Sequence, residues 1–334
     1  MKKIKIAQIG INRNSHSNEI FRSICKQSDI FEVVGYVFPE NERERLQQKL
    51  SWFDADGYPE LTLEEVLENP EIEAVTIETD EVNLTKYALM AAKAGKHIHM
   101  EKPGGVSLAD FEELIGIMKN TGKVFHTGYM YRYNPCIMEL MEEIEKGELG
   151  EIISIEAQMN CTHPKEIRQW LEAFPGGMMF FLGCHLVDLI YRIKGTPKNI
   201  IPLNKCSGLE DVTAEDFGMV VFEYENGVSF AKTTAVEYGG FERRQFVVNG
   251  SKKTVELKPL EWRKDVPDLL TTTRIVRDDL CWFNEGKVYV SDTYDRYDYM
   301  MKSFAEYLRG EKKNPYTLDY ELELFKLLLK CCGK

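Results

Sequence analysis

Two places in the sequence combine residue types that hold or move protons. Glu101-Lys102-Pro103 follows a short, largely apolar stretch, Lys96–Met100. A lysine in such a position can polarise a substrate oxygen, and the proline fixes the local φ so that the bend aims side chains into a crevice. Further along, Gly183-Cys184-His185-Leu186-Val187-Asp188 sets a histidine and an aspartate three residues apart. On a helix that pair shares a face, and histidine titrates near neutrality, so His185 is a candidate acid/base with a carboxylate to orient it. A buried structural histidine is the plainer reading of the same pattern. Cys184, His185 and Asp188 do not make a metal set, because adjacent side chains point apart and no other ligand spacing supports them; no metal is expected. A third cluster, Gly128-Tyr129-Met130-Tyr131-Arg132-Tyr133-Asn134-Pro135, offers hydrogen bonds and stacking surface. Tyr131 and Arg132 suit a polyol or sugar, or equally a joint between domains. Arg168, Trp170 and Asp188 join them as candidate substrate-binding residues, with residues 160–175 and 259–292 as the irregular stretches expected to build the pocket.

A nucleotide would sit elsewhere. Gly10-Ile11-Asn12-Arg13-Asn14-Ser15-His16 occupies the strand-to-helix turn where dinucleotide phosphates bind. Only the first position of G-x-G-x-x-G is glycine; Asn12 and Ser15 hold the others. Asn12 tolerates left-handed φ, Ser15 can cap a helix and Arg13 can add a charged contact. Phosphate binding and an ordinary turn both remain open on those residues. The acid that takes the adenosine ribose hydroxyls at the end of the second strand is missing, or displaced, in Phe38-Pro39-Glu40, and Glu40 reads as a solvated residue.

These residues need a scaffold. Over the first 130 residues short apolar runs (3–9, 31–38, 74–79, 96–100 and 124–128) alternate with helical spacing at 15–27, 83–94 and 108–120. Thr62-Leu-Glu-Glu65 carries a capping box, and Gly95 ends the Ala-rich helix. Such alternation with short connections predicts a doubly wound parallel sheet. After about residue 150 the period becomes two, at 151–159, 216–224, 227–236 and 244–256, with turn chemistry at Glu225-Asn226-Gly227 and Asn249-Gly250. That half is expected to hold a large open, mostly antiparallel sheet, with helices at 178–194, 295–309 and 319–331. The expected domains are 1–128 and 129–334, the final helices packing back on the first.

At 334 residues and 38.6 kDa the chain exceeds one ordinary domain. Its 43% hydrophobic and 29% charged residues, with mean hydropathy −0.34, describe a chain that can bury real cores. A net charge of −12 disfavours nucleic acid and anionic membranes as partners. Eight scattered cysteines without a CxxC read as reduced thiols in a cytoplasmic protein.

Taken together, "AGKHIHMEKP" at 94–103, "GYMYRYNP" at 128–135, "GG…GCHLVD" at 176–188 and "FAEYLRG" at 304–310 resemble the Gfo/Idh/MocA oxidoreductases. The resemblance covers nearly the whole chain. It implies a Rossmann NAD(P)-binding domain, a C-terminal α/β domain whose sheet supports a homodimer or homotetramer, and oxidation of a sugar or polyol hydroxyl with NAD or NADP, NAD slightly favoured. It implies Lys102 and His185 as catalytic residues. Gly10, Asn12, Arg13, Asn14, Ser15, Phe38, Thr79, Glu101 and Lys102 would line the cofactor. Departures accompany it: Phe181 stands where the family has an aspartate, and Thr79-Asp80-Glu81-Val82-Asn83-Leu84 stands for T-P-N-x-x-H. They keep two rivals in view, a non-redox or internally recycling sugar lyase, hydrolase or epimerase, and a non-catalytic nucleotide- or sugar-binding protein.

Overall fold

Short apolar runs closed by turn residues become the five strands of a parallel sheet: β1 (Ile4–Ile9), β2 (Phe31–Val37), β3 (Ala74–Ile77), β4 (His97–Met100) and β5 (Phe125–Thr127). In this computed structural model, which describes residues 2–14, 16–50, 53, 57–263 and 269–334, their order is β2-β1-β3-β4-β5. β3 is buried throughout, as a strand covered by helices on both faces must be. The covering helices include Ser17–Lys26, Leu84–Lys93 and Leu108–Thr121. Local chemistry sets the helix ends. Thr62 accepts from the Glu65 N–H while the Glu65 carboxylate accepts from the Thr62 N–H, and Ser107 accepts from the Asp110 N–H. Strand order reverses between β1 and β3, so their carboxyl ends open a crevice into which the succeeding loops project.

Contacts divide the chain into two units. The first holds residues 1–129 and 297–325, the second residues 130–296 and 326–334. Helix Asp298–Leu308 therefore packs with the parallel sheet: Phe304 stacks on His126 at 5.3 Å, and the Ser23 hydroxyl donates to Asp298.

In the second unit an eight-stranded sheet runs β15-β14-β11-β10-β6-β9-β8-β7. Its strands are β6 (Ile152–Asn160), β7 (Asn199–Pro202), β8 (Phe217–Tyr224), β9 (Gly227–Thr234), β10 (Gln245–Gly250), β11 (Thr254–Leu257), β14 (Thr273–Arg277) and β15 (Lys287–Val290). A separate pair joins β12 (Trp262–Arg263) to β13 (Leu270–Thr271). Among the described residues only β6 and β9 pair in parallel within the large sheet. The alternating stretch 244–256, with its turn chemistry at Asn249-Gly250, forms two strands paired antiparallel with Val248 opposite Val255. The expected helix at 178–194 begins as a five-residue π turn, Met179–Gly183, before the α-helix Cys184–Lys194. Among the described residues no helix is long and apolar enough to cross a membrane.

Gly177, just before the π turn, has φ +47°, and a Cβ there would lie 2.3 Å from the Glu215 carbonyl oxygen. Gly177→Ala is expected to cost about 1–3 kcal/mol from the backbone conformation alone. A urea denaturation midpoint equal to wild type would refute that.

Candidate functional site

The carboxyl ends of β1 and β3 face each other across the crevice. Gly10 closes β1 at φ +91°, and a Cβ on it would come within 2.7 Å of Thr79, so only glycine lets the turn pass so close. Asn12 then ties the two loops together, its amide donating to the Thr79 carbonyl at 3.0 Å. The main-chain donors from Ile11 to Asn14 each have an acceptor. The Ile11 N–H reaches Glu42 at 3.0 Å, Asn12 reaches the Ser17 hydroxyl at 3.1 Å, Arg13 reaches Asp80 at 3.1 Å, and Asn14 reaches the Asn12 side chain at 2.8 Å. Ser15 lies outside the described residues. The Thr79 hydroxyl donates to the other Glu42 oxygen. Lys49 donates to the Asn12 carbonyl at 2.7 Å, and Arg45 pairs with Asp80 at 3.4 Å. Burial pushes Glu42 up to about 8, against the pull of its Thr79 and Ile11 hydrogen bonds. Converging N–H groups, cations and a glycine that permits close approach suit the phosphates of a dinucleotide once Glu42 and Asp80 release those donors.

Beyond the second strand Phe38 packs among Tyr36 and Phe53. Glu40 is exposed and takes Lys86 at 2.5 Å and the Tyr87 hydroxyl at 2.7 Å. Left-handed backbone at Glu40 and Asn41 (φ +57° and +54°) precedes Glu42, whose carboxyl reaches Ile11 and Thr79.

Next to the turn, β4 delivers Glu101 and Lys102, both 4% exposed, ahead of a cis Lys102–Pro103 peptide. Lys102 Nζ lies 3.6 Å from the Glu101 carboxylate. Burial raises Glu101 to about 7, with Lys102 opposing. Glu78 and Glu81, fully buried at the end of β3, are also raised; for Glu78 burial is joined by repulsion from Glu101 and Glu81, and for Glu81 Lys102 opposes it. Glu78 Oε1 stands 3.5 Å from His99 Nε2, and His99 Nδ1 meets His126 Nδ1 at 2.7 Å. Lys102 thus sits in a buried, acid-lined place where burial raises several carboxyls.

The second unit carries the other candidates. His185 opens the helix after the π turn, 2% exposed, with the Tyr131 ring edge-on at 5.5 Å. Asp188, one turn on, is taken up by Arg132 through two bonds of 2.9 and 2.7 Å. The Tyr131 hydroxyl donates to Glu261, which Arg244 and Arg296 also bind at 3.1 and 2.8 Å. Burial alone would raise Glu261, but the two guanidiniums hold it below the ordinary range. Arg168, also buried, pairs with Asp216 and Glu210. Trp170 sets its edge on Phe174 and Phe181. Phe181 therefore extends an aromatic patch beside the start of the His185 helix.

Sequence reasoning brings Gly10, Asn12, Arg13, Asn14 and Thr79 to one turn, and Glu101 and Lys102 to the neighbouring strand end. It missed Glu42, Glu78, Asp80 and Glu81. Asp80 and Glu81 lie in the run Thr79–Leu84, visible as a departure, but their burial depends on the strand order.

Comparison with known proteins gives two family matches. An oxidoreductase family model with an NAD-binding Rossmann fold covers residues 4–129, and the GFO/IDH/MocA C-terminal domain covers residues 137–256. The uncharacterized oxidoreductase YhhX of Escherichia coli (strain K12) is 31% identical over 142 residues, 41% of this chain and 40% of YhhX. The NADP(+)-using scyllo-inositol 2-dehydrogenase IolW of Bacillus subtilis (strain 168) is 23% identical over 242 residues, 72% of this chain and 64% of IolW. The chain thus matches about half the length of these curated relatives. Among solved structures, the 3-ketoreductase KijD10 of Actinomadura kijaniata, complexed with NADP and TDP-benzene, superposes with a TM-score of 0.77 at 14% identity, covering 98% of this chain and 96% of that one. At that identity the likeness is one of fold.

Two outcomes test the geometry. Glu42 is raised in the folded protein, so the native state keeps a proton that the unfolded chain gives up, and stability is expected to fall between about pH 4.5 and 8. Thermal melts across that window should decline less steeply for Glu42→Gln; parallel slopes would refute the assignment. Asp188→Ala leaves Arg132 buried without its carboxylate and is expected to cost about 3–5 kcal/mol, read from denaturant unfolding, while a loss under about 1 kcal/mol would sink it.

Proposed function

Since the chain belongs to the Gfo/Idh/MocA family of NAD-binding oxidoreductases, we propose that it is a dehydrogenase or reductase acting on a hydroxyl or ketone of a sugar, polyol or related derivative, with NAD or NADP. The observation that carries this reading is Lys102: a lysine 4% exposed, held at the carboxyl edge of a parallel sheet, where such folds place ligands, beside a carboxyl balanced near neutrality. The names of the inositol dehydrogenase and the 3-ketoreductase above support the substrate class.

Gly10, Asn12, Arg13, Asn14 and Thr79 would hold the dinucleotide, through the main-chain donors of the turn and the cations beside it. When bound, it supplies the hydride acceptor or donor. Lys102 Nζ holds the reacting oxygen and stabilises negative charge that develops on it, an interaction strengthened by the dry surroundings. Glu101, at 3.6 Å from Nζ and close to neutrality in pKa, can pass a proton to or from that ammonium. His185 is the second unit's candidate acid/base, and the edge of Tyr131 limits how its ring can turn. Tyr131, Arg132, Arg168, Trp170 and Asp188 enter as residues that shape the substrate pocket, their charges already balanced by Glu261, Asp188, Asp216 and Glu210.

A second reading has its own support. Phe181 stands where the family carries an aspartate, and the turn's donors are engaged by Glu42 and Asp80. Both suit an enzyme that converts a sugar without net redox change.

A panel of sugars and polyols assayed with both nucleotides decides between the two. Net change in nicotinamide absorbance supports the dehydrogenase; product without such change supports internal recycling. Lys102→Ala should lower turnover by about 10²–10⁴-fold with an unaltered circular dichroism spectrum. Near-wild-type turnover would remove Lys102 from the mechanism.

A further inference from the structure

The nucleotide turn shows an unusual economy of donors. Ile11, Asn12, Arg13 and Asn14 are four consecutive residues whose main-chain N–H groups all end on side chains of this same chain. Ser17 and Asn12 are local partners. Glu42 and Asp80 are not: they come from the loops after β2 and β3, and each brings a carboxyl into the space that faces the turn. Glu42 is wholly buried there, bonded at both oxygens. Asp80 spans two partners, the Arg13 N–H at 3.1 Å and the Arg45 guanidinium at 3.4 Å. A carboxyl oxygen accepting from main-chain N–H groups at a strand-to-helix turn, with a guanidinium behind it, occupies the position and uses the donors that a phosphate oxygen would.

We propose that Glu42 and Asp80 are built-in occupants of the phosphate position, so that a dinucleotide binds only by displacing them and its affinity is set by how readily they leave. The proposal rests on the oxidoreductase reading above, in that it takes the crevice to accept NAD or NADP. Two features of the chain support displacement over a fixed structural bond. The segment that carries Glu42 enters through two left-handed residues, Glu40 and Asn41, and that conformation is costly for glutamate though not for asparagine. The cations Arg45 and Lys49 lie at the same turn, bonded to Asp80 and to the Asn12 carbonyl, and would stay to meet a phosphate after Asp80 had gone. Occupation by the chain's own acids also keeps the donors satisfied while no ligand is present, which a buried turn requires.

A competing role for Glu42 predicts the opposite sign. Were it the acid that takes the adenosine ribose hydroxyls, removing it would weaken nucleotide binding.

The test is equilibrium binding of NADH and NADPH to the full chain, followed by fluorescence or calorimetry, for wild type, Glu42→Gln, Glu42→Ala and Asp80→Asn. Melting curves check that each variant folds. Asp80→Asn keeps an acceptor for the Arg13 N–H and loses the charge, so it remains informative if a Glu42 variant does not fold. If the donors are free about a tenth of the time in wild type, releasing them should tighten binding about tenfold. Inorganic pyrophosphate should raise the melting temperature of Asp80→Asn more than that of wild type, which places the gain at the phosphate position. Variants that bind no more tightly than wild type, or more weakly, overturn the proposal and leave the oxidoreductase reading standing. Folded proteins that bind neither nucleotide in any form overturn both.

Discussion

A carboxyl group taken out of water must find a donor, a cation or a proton, and that requirement organises the crevice of the first unit. Five acids meet there, Glu42, Glu78, Asp80, Glu81 and Glu101, none more than 8% exposed. Each meets the demand differently. Asp80 has a guanidinium and a main-chain N–H; Glu42 has an N–H, a hydroxyl and a raised pKa. Glu101 has Lys102. Glu78 and Glu81 are both pushed up by burial, Glu78 further by Glu101 and Glu81, while Lys102 opposes the rise at Glu81.

The second unit satisfies the same constraint with arginine. Asp188, Glu261 and Asp216 are each matched by buried guanidiniums, and Arg132 meets Asp188 through a two-pronged geometry that lysine does not offer. Such pairs fix direction more than they add stability. The Arg132–Asp188 pair pins one turn of the helix that begins at Cys184, and with it the orientation of His185 one turn earlier. The π turn before that helix makes a second local adjustment, since an extra residue in the turn rotates the helix that continues from it. His185 is aimed by its backbone before any partner acts on the ring.

The sequence made the scaffold legible to the extent that periodicity and punctuation carry it. The parallel strands, the capping box at Thr62–Glu65 and the glycine at 95 obey local rules that tertiary contacts did not override. Lys102 and His185 stood out because lysine before proline at a strand end, and histidine three before aspartate, are patterns of residue type. Strand β15 was hidden for a physical reason: it is exposed along its whole length, so it carries no buried face to read. Glu42 was hidden for another. It follows left-handed φ at Glu40 and Asn41, and glutamate does not announce that conformation as glycine would.

Departures from the dinucleotide fingerprint look like separate losses along the sequence, yet in space several are one arrangement. Asn12, in place of the second glycine, uses its amide to bind the Thr79 carbonyl and its oxygen to accept from Asn14. That fastens the turn to the loop after β3. The same loop carries Asp80, whose carboxylate accepts from Arg13 one residue beyond Asn12. Thr79, between these contacts, donates to Glu42, which returns to the turn at Ile11. Asparagine, threonine and the two acids thus close a ring of bonds around Gly10, and removing any one of them leaves another member's buried polar group unmatched. A single substitution in such a ring is therefore felt by its neighbours, and its cost is shared among them rather than confined to one bond.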